Sequence, residues 1–272
     1  MAADQLTSSI TNGSLSSLGL GTSSSVGTST TSSFELSGTS YTLSTTTSND
    51  QMQPSVSTLS NGKSLVTWLN DDSSGGSILG QIIDNTGAKV GTEFTVTGTT
   101  SGYQTQPSIS SLSGGGFVAT WTAADVSNAG VYGQIFDSNG NKVGSEFQVN
   151  TSTSDFQGVS EVVGLSNGNF VAAYQDRSSG WNIKAQIFNS SGTKVGSELT
   201  LNSQSQKGYH PALMATQSGG FILATSGHNV DSNNHGVWVE IYDASGNAIS
   251  NEIQVNTSEN GSQYDASVTQ LE

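Results

Sequence analysis

The chain has 272 residues, of which 32% are hydrophobic, and it contains no cysteine, so neither disulfide bonds nor a thiolate metal site can form. Its net charge at pH 7 is −14, because 7 lysines and arginines stand against 21 aspartates and glutamates. A surface of this sign repels phosphate backbones and anionic membranes, so neither nucleic acid nor membrane insertion is expected.

Residues 1–37 are dominated by Ser, Thr and Gly and have few apolar residues in a strand pattern. This composition is typical of a linker, and it also fits a partial blade of a repeat protein. From residue 38 onward, short apolar runs alternate with turn residues. Residues 38–272 are therefore predicted to form a single all-β domain.

This domain consists of a repeat of about 53 residues. Trp68 and Trp121 end equivalent segments 53 positions apart, Tyr174 follows after another 53, and Thr225 after 51. The complete repeats lie near 51–102, 103–155, 156–207 and 208–260. A fixed period of this length with short strands is typical of a β-propeller, in which each repeat forms a four-stranded blade.

An Asp-x-x-Gly turn joins the last two strands of each repeat. The first side chain accepts hydrogen bonds from the turn backbone, and the glycine adopts a positive φ. We expect this first side chain to be structural wherever the turn recurs. Its positions are Asp84, Asp137, Asn189 and Asp243.

The two ends of the domain complete one further repeat. Residues 38–50 match the last strand of a blade, and residues 261–272 match a first strand. Pairing of these segments would close the ring without an open sheet edge, so we predict a five-bladed propeller whose last blade is shared by the N- and C-termini. Two alternatives stay open: self-association through the split repeat, or an open solenoid.

Most enzyme classes lack their motifs here. One arginine, Arg177, is too few for the arginine cluster of a sialidase, and the three histidines have no metal-ligand spacing. Paired carboxylates suffice for glycoside hydrolysis, but the obvious glutamates recur in every repeat, which is typical of a structural role. These are Glu93, Glu146, Glu198 and Glu252, and the same argument covers Gln81, Gln134, Gln186 and Glu240. The chain is therefore predicted not to be an enzyme, with a carbohydrate-active hydrolase or lyase as the remaining alternative.

Aromatic residues supply the candidate ligand-binding positions. Trp68, Trp121 and Tyr174 hold one register in successive repeats, so they either present stacking platforms for sugar rings or fill the wedge between blades. Trp181 and Trp238 have no counterpart in every repeat. Each of these two is therefore the better single candidate for a binding site.

The loops after the second strand supply candidate cation ligands. They carry Asp72, Asp125, Asp176 and Asp231. Oxygen-rich loops that end in glycine suit a hard cation such as calcium, whereas solvated turn residues would produce the same pattern. Calcium is thus a candidate ligand, and no cofactor is required.

The segment GGFVATW followed by VYGQIFDSNGNKVGSEFQVN resembles the repeat of about 50 residues in large secreted bacterial proteins of the hemolysin-type calcium-binding and adhesin-like kind. The resemblance covers about 51–256 and is closest over 103–150; the later repeats depart from it, with Tyr174 and Thr225 in place of Trp. It implies a secreted or cell-surface location and a role in adhesion, matrix or recognition. It implies no catalytic residue.

Together these patterns predict a non-enzymatic extracellular module that binds a glycan or surface polysaccharide at several weak repeated sites, since repetition raises avidity. Any export signal would lie outside this segment. The alternative function is that of a structural or assembly repeat protein of a bacterial surface or secreted fibre, linked through the split repeat.

Overall fold

A computed structural model describes residues 42–45, 50–72, 75–98, 102–178, 180–201, 207–228, 235–257 and 261–269. Within these ranges, 16 strands form four antiparallel sheets of four strands, and neighbours along the chain are neighbours in the sheet. The predicted N-terminal segment 1–37 lies outside the described residues. No helix long and apolar enough to cross a membrane occurs in the part that is described.

Each sheet corresponds to one of the four complete repeats. The first blade contains β1 (Asp50–Thr58), β2 (Ser64–Asp71), β3 (Ser77–Ile83) and β4 (Lys89–Thr95). The second contains β5 (Gln104–Ser111), β6 (Phe117–Ala124), β7 (Ala129–Phe136) and β8 (Lys142–Gln148). The third contains β9 (Gln157–Gly164), β10 (Phe170–Asp176), β11 (Asn182–Phe188) and β12 (Lys194–Thr200). The fourth contains β13 (Lys207–Ala215), β14 (Phe221–His228), β15 (His235–Tyr242) and β16 (Ile253–Gln254).

The first strands of successive blades lie beside one another, so β1, β5, β9 and β13 are the inner strands around the propeller channel. The fifth repeat is represented by residues 42–45 and 261–269. Thr45 N donates to Glu93 Oε2 at 2.8 Å, as Gly98 N donates to Glu146 Oε2 at 2.7 Å at the next blade junction. The predicted fold class, an all-β five-bladed propeller of four-stranded blades, is confirmed.

Apolar side chains between blades form the core. Phe117 stacks on Phe136 across β6 and β7 with ring centroids 4.7 Å apart, and the rings of Phe170 and Phe188 stack in the third blade at 5.1 Å. Phe94, from the preceding blade, lies 5.8 Å from the ring of Phe136. Burial of such aromatic contacts contributes strongly to the stability of these sheets.

The repeated polar residues hold the blades together, as predicted. Gln134 is buried, and its Nε2 donates to Ile135 O at 2.9 Å and to Val143 O at 3.1 Å, which ties the third strand to the fourth. In the Asp-x-x-Gly turn, Asp137 Oδ1 accepts from Asn141 N at 2.9 Å. Hydrogen bonds, foremost from the Asn141 side chain, hold the pKa of Asp137 below its ordinary value.

Candidate functional site

The strand registers define two ends of the channel. Asp50 pairs with Asp71 and Gln157 with Asp176, so the start of a first strand lies beside the loop that follows the second strand. We call this end the upper mouth: it carries the first residues of β1, β5, β9 and β13. The Asp-x-x-Gly turns lie at the opposite, lower end, because they join the third strands to the fourth.

A bulge interrupts each inner strand near the upper mouth, where two residues oppose one residue of the second strand. The first bulge residue, and its equivalent in the fifth repeat, has a positive φ. These residues are Gln53 (51°), Gln106 (56°), Val159 (53°), His210 (50°) and Asp265 (55°). The conformation costs a non-glycine residue about 1–2 kcal/mol. The backbone conformation is thus repeated five times, while the residue that adopts it varies.

The bulge side chains connect neighbouring blades. Gln53 Oε1 accepts from Thr105 Oγ1 at 2.6 Å and from Gln106 N at 2.8 Å. His210 Nδ1 is hydrogen-bonded to Asp265 Oδ1 between the fourth blade and the fifth repeat. The side chains of His210 and Asp265 are 49% and 75% exposed, so this pair is open to a ligand from solvent.

Glu161 lies two residues beyond the bulge residue Val159 on inner strand β9. Ser108 Oγ, from the adjacent inner strand, donates to Glu161 Oε2 and also accepts from Val162 N at 3.1 Å. Burial raises the pKa of Glu161, and the hydrogen bond from Ser108 opposes that shift only in part. A carboxyl group in such a position keeps its proton to a higher pH than an ordinary glutamate, which is what a general acid requires.

Glu161 departs from the repeat. The residue two positions beyond the bulge in the other repeats is small, and it is Ser55, Ser108, Ala212 and Ser267. A half-buried carboxyl group is costlier to place there than a serine hydroxyl. The other repeats adopt the same backbone conformation without a carboxyl group at this position, so the fold does not require Glu161.

The single arginine lies in an aromatic cluster at the upper mouth. The Cζ atom of Arg177 is 4.0 Å from the Trp181 ring centroid and 4.4 Å from that of Phe156. Trp181 also packs on Tyr209, with ring centroids 5.0 Å apart, and Trp181 O accepts from Gly208 N at 2.7 Å. Tyr209 immediately precedes His210, so this cluster adjoins the His210–Asp265 pair.

Trp181 occupies a backbone conformation that favours glycine. Its φ is 69°, and the residue at the same register in the first blade is Gly76, with a φ of 95°. A left-handed conformation costs a bulky residue about 1–2 kcal/mol and is frequent at functional sites. Trp181 therefore stays a predicted binding residue, with a defined role in holding Arg177.

The three repeated aromatics are not sugar-stacking platforms. Trp68 is 5% exposed, and Trp121 and Tyr174 are each 1% exposed. A sugar ring stacks on an accessible aromatic face, so this prediction is wrong for all three, and the alternative, that they fill the space between blades, is correct. Trp121, for example, belongs to a core cluster shared by the first two blades.

Trp238 belongs to a change of packing in the fourth blade. Its cross-strand partner is Thr225, whereas in the second blade the aromatic Trp121 on the second strand pairs with Tyr132. In the fourth blade, the tryptophan at this register is on the third strand instead of the second. Trp238 is half-buried, and within the described part of the chain its Nε1 has no hydrogen-bond partner. Its predicted role in ligand binding stays a prediction.

The predicted cation ligands lie in separate loops. Asp72 Oδ1 accepts from Gly76 N at 3.3 Å, and Asp125 Oδ1 accepts from Asn128 N at 2.9 Å. Asp176 is buried and its Oδ1 accepts from Gln157 Nε2 at 2.9 Å; Asp231 lies outside the described residues. Among the residues the structure describes, no group of three or more His, Asp or Glu side chains could hold a metal ion. Calcium binding therefore stays a prediction.

Sequence reasoning missed Glu161, Asp265 and His210, and it used Arg177 only to exclude one class of enzyme. The available signal was departure from the repeat: these residues stand where the other repeats have different side chains. The sequence analysis applies this signal to Trp181 and Trp238 but not to the charged residues.

No protein-family model and no curated protein matches this sequence. Among solved structures, the chain is similar to a thermostable family-43 glycoside hydrolase, with 10% identity and a TM-score of 0.50 over 79% of this chain and 78% of that one. It is also similar to a neuraminidase-like protein of A/little yellow-shouldered bat/Guatemala, with 11% identity and a TM-score of 0.51 over 74% of this chain and 58% of that one. An α-L-arabinofuranosidase from Lactobacillus brevis matches with 14% identity and a TM-score of 0.47 over 76% and 73% of the two chains.

The first of these matches corrects two predictions. The prediction of a non-enzymatic binding module, which depends on recurring aromatics, polar loops and the lack of catalytic motifs, and the prediction that the chain is not an enzyme are wrong, because the fold is shared with a glycoside hydrolase. The exclusion of enzymes depends on the absence of motifs that belong to other folds, and on the absence of an arginine cluster that is specific to sialidases. A glycan partner stays a prediction.

Proposed function

We propose that this protein is a glycoside hydrolase whose active site is the upper mouth of the channel. Glu161 is the general acid, and Asp265, which is hydrogen-bonded to His210, is the second carboxylate. The observation that carries the proposal is the placement of Glu161, a half-buried carboxyl group with a raised pKa on an inner strand whose equivalents carry serine or alanine.

The chemistry needs two carboxyl groups in different states. One must be protonated and deliver its proton to the glycosidic oxygen, while the other is ionised and acts on the anomeric carbon directly or through water. Burial favours the protonated form of Glu161. The side chain of Asp265 is 75% exposed and hydrogen-bonded to His210, so it is held in one orientation and is open to a sugar ring from solvent.

The two groups come from different parts of the repeat array. Glu161 is on the third blade and Asp265 on the fifth repeat, and both belong to the short stretch around the bulge at which inner strands enter the channel. A glycan chain entering the upper mouth from solvent would reach the exposed Asp265 first and Glu161 deeper in the channel.

The test is release of reducing ends from a panel of purified polysaccharides, including arabinan, xylan and polygalacturonate. We expect the wild-type protein to hydrolyse at least one of them. Glu161→Gln should lower the rate by about 10²- to 10⁴-fold, because the amide cannot donate the catalytic proton. Asp265→Asn should cause a loss of the same order.

A matched control comes from the chain itself. Asp137→Asn, at the lower end, introduces the residue that the third repeat already has as Asn189, and it should leave the rate unchanged. Absence of hydrolysis across the panel, or full activity of the Glu161→Gln protein, would refute the proposal.

A further inference from the structure

The upper mouth of this acidic protein holds the single arginine of the chain in a fixed position. The Arg177 guanidinium packs against the rings of both Phe156 and Trp181. Trp181 is in turn fixed by its contact with Tyr209 and by the hydrogen bond from Gly208 N. Aromatic rings cover the faces of a guanidinium, and its N–H donors point outward in the plane of the group.

The cluster reaches the proposed active site. Burial raises the pKa of Tyr209, with Tyr264 adding to the shift and the positive charge of Arg177 opposing it. Tyr209 therefore lies close to Arg177 and also close to Tyr264. Tyr209 and Tyr264 are the residues immediately before His210 and Asp265, which are hydrogen-bonded to each other.

We propose that Arg177 binds a sugar carboxylate, and that the glycans taken by the upper mouth carry uronic or other acidic sugars. This inference rests on the proposed function for the position of the cleaved bond, but the binding itself does not require hydrolysis. A guanidinium matches a carboxylate with two parallel hydrogen bonds, and a neutral sugar offers no equivalent partner.

The negative net charge of the chain also favours Arg177 as the binding residue. A net charge of −14 repels an acidic polysaccharide over most of the surface. A fixed arginine beside the channel then supplies a local positive charge to which such a chain can bind. The strained φ of Trp181 supports the inference, because the backbone there adopts a conformation that costs free energy in order to place a ring against Arg177.

Binding is best measured with the Glu161→Gln protein, which retains the cluster and does not turn the ligand over. Isothermal titration calorimetry would compare tetragalacturonate and a hyaluronan tetrasaccharide with their carboxyl-reduced, neutral counterparts. We expect at least one acidic ligand to bind about 10- to 100-fold more tightly than its reduced counterpart, since a hydrogen bond to a charged group has about that effect. This preference should weaken as sodium chloride is added.

Two further variants, made in the same background, test the role of the arginine. Arg177→Met keeps an unbranched side chain against the rings and should abolish the preference. Arg177→Lys keeps the charge without the planar fork and should retain only part of it. Melting temperatures close to that of the parent protein would establish that both variants are folded.

The outcomes separate the inference from the proposed function. Preference for the acidic ligand that depends on Arg177, together with no hydrolysis by the wild-type protein, would support the inference and refute the hydrolase. Equal binding of acidic and reduced ligands, or a preference that survives Arg177→Met, would overturn the inference even if a neutral polysaccharide is cleaved.

Discussion

The two ends of the propeller channel differ in whether side-chain contacts or only the backbone conformation recur from blade to blade. At the lower end the same turn contacts recur: Asp137 Oδ1 in the second blade accepts from Asn139 N and Asn141 N at 2.8 and 2.9 Å, and Asp243 Oδ1 in the fourth blade accepts from Ser245 N at 2.8 Å. At the upper mouth the backbone is repeated, with a positive φ in all five repeats, but the side chains are not.

This difference distinguishes residues that stabilise the fold from residues that are available for binding or catalysis. A side chain that recurs in every blade contributes the same packing or turn contact each time. A side chain that changes while its backbone stays constant is free to serve one site. The upper mouth therefore concentrates the residues that can act once per molecule, among them Glu161, Asp265 and Arg177.

The comparison predicts that a repeated core residue controls stability. Trp121→Ala should lower the free energy of unfolding by about 3–5 kcal/mol, because a large ring that is 1% exposed leaves a cavity. Trp238→Ala should cost clearly less, because Trp238 is half-buried. Urea denaturation of both proteins measures the two values. A loss below about 1 kcal/mol for Trp121→Ala would mean that the blade core is not organised as described.

A smaller effect is expected for Glu161→Gln, whose free energy of unfolding should depend on pH differently from that of the wild-type protein. Burial raises its pKa above the ordinary 4.5, so the native state favours the protonated form. The resulting stabilisation is fully present below the ordinary pKa and is lost as the pH rises through the raised value. Glutamine does not ionise, so the stability of Glu161→Gln relative to wild type should increase over that range.

Urea denaturation of wild type and Glu161→Gln at matched pH values, from about pH 4 to about pH 8, measures this difference. Asp137→Asn serves as the control, since it replaces a carboxyl group without a raised pKa. A difference between Glu161→Gln and wild type that is constant with pH would contradict the burial of Glu161.

The smallest effect is expected at the lower end. Asp137→Asn should change the free energy of unfolding at neutral pH by less than about 0.5 kcal/mol, because Asn189 makes the same turn with its amide oxygen. The pKa of Asp137 is lowered, so its contribution is present above the ordinary 3.8 and is lost as the pH falls through the folded value. Acid titration of both proteins should therefore show wild type losing more stability. A greater acid sensitivity of the variant would contradict the turn contacts.

Much of the fold could be predicted from the sequence, because the repeat supplies the same evidence several times. The 53-residue spacing of Trp68 and Trp121 predicts the blades, and the Asp-x-x-Gly turns predict where strands end. The split fifth repeat, residues 38–50 and 261–272, stays a prediction from the two matching terminal segments.

The candidate site could not be predicted in the same way. The residue types of Gln53 and Val159 do not favour a positive φ. The proline after Gln53, Gln106 and His210 indicates an interruption of the strand, but it does not indicate this backbone conformation. The burial that raises the pKa of Glu161 depends on the neighbouring inner strand with Ser108, which is 53 positions away. Such a contact follows only from the arrangement of blades around the channel.

The most direct measurement is polysaccharide hydrolysis by Glu161→Ser, which gives the third repeat the residue found at this position in the first, second and fifth. If the upper mouth carries the chemistry, this protein should be at least as stable as wild type in urea and should have lost hydrolysis of the polysaccharide that wild type cleaves. A Glu161→Ser protein that hydrolyses the same polysaccharide at the wild-type rate would contradict the assignment of the active site.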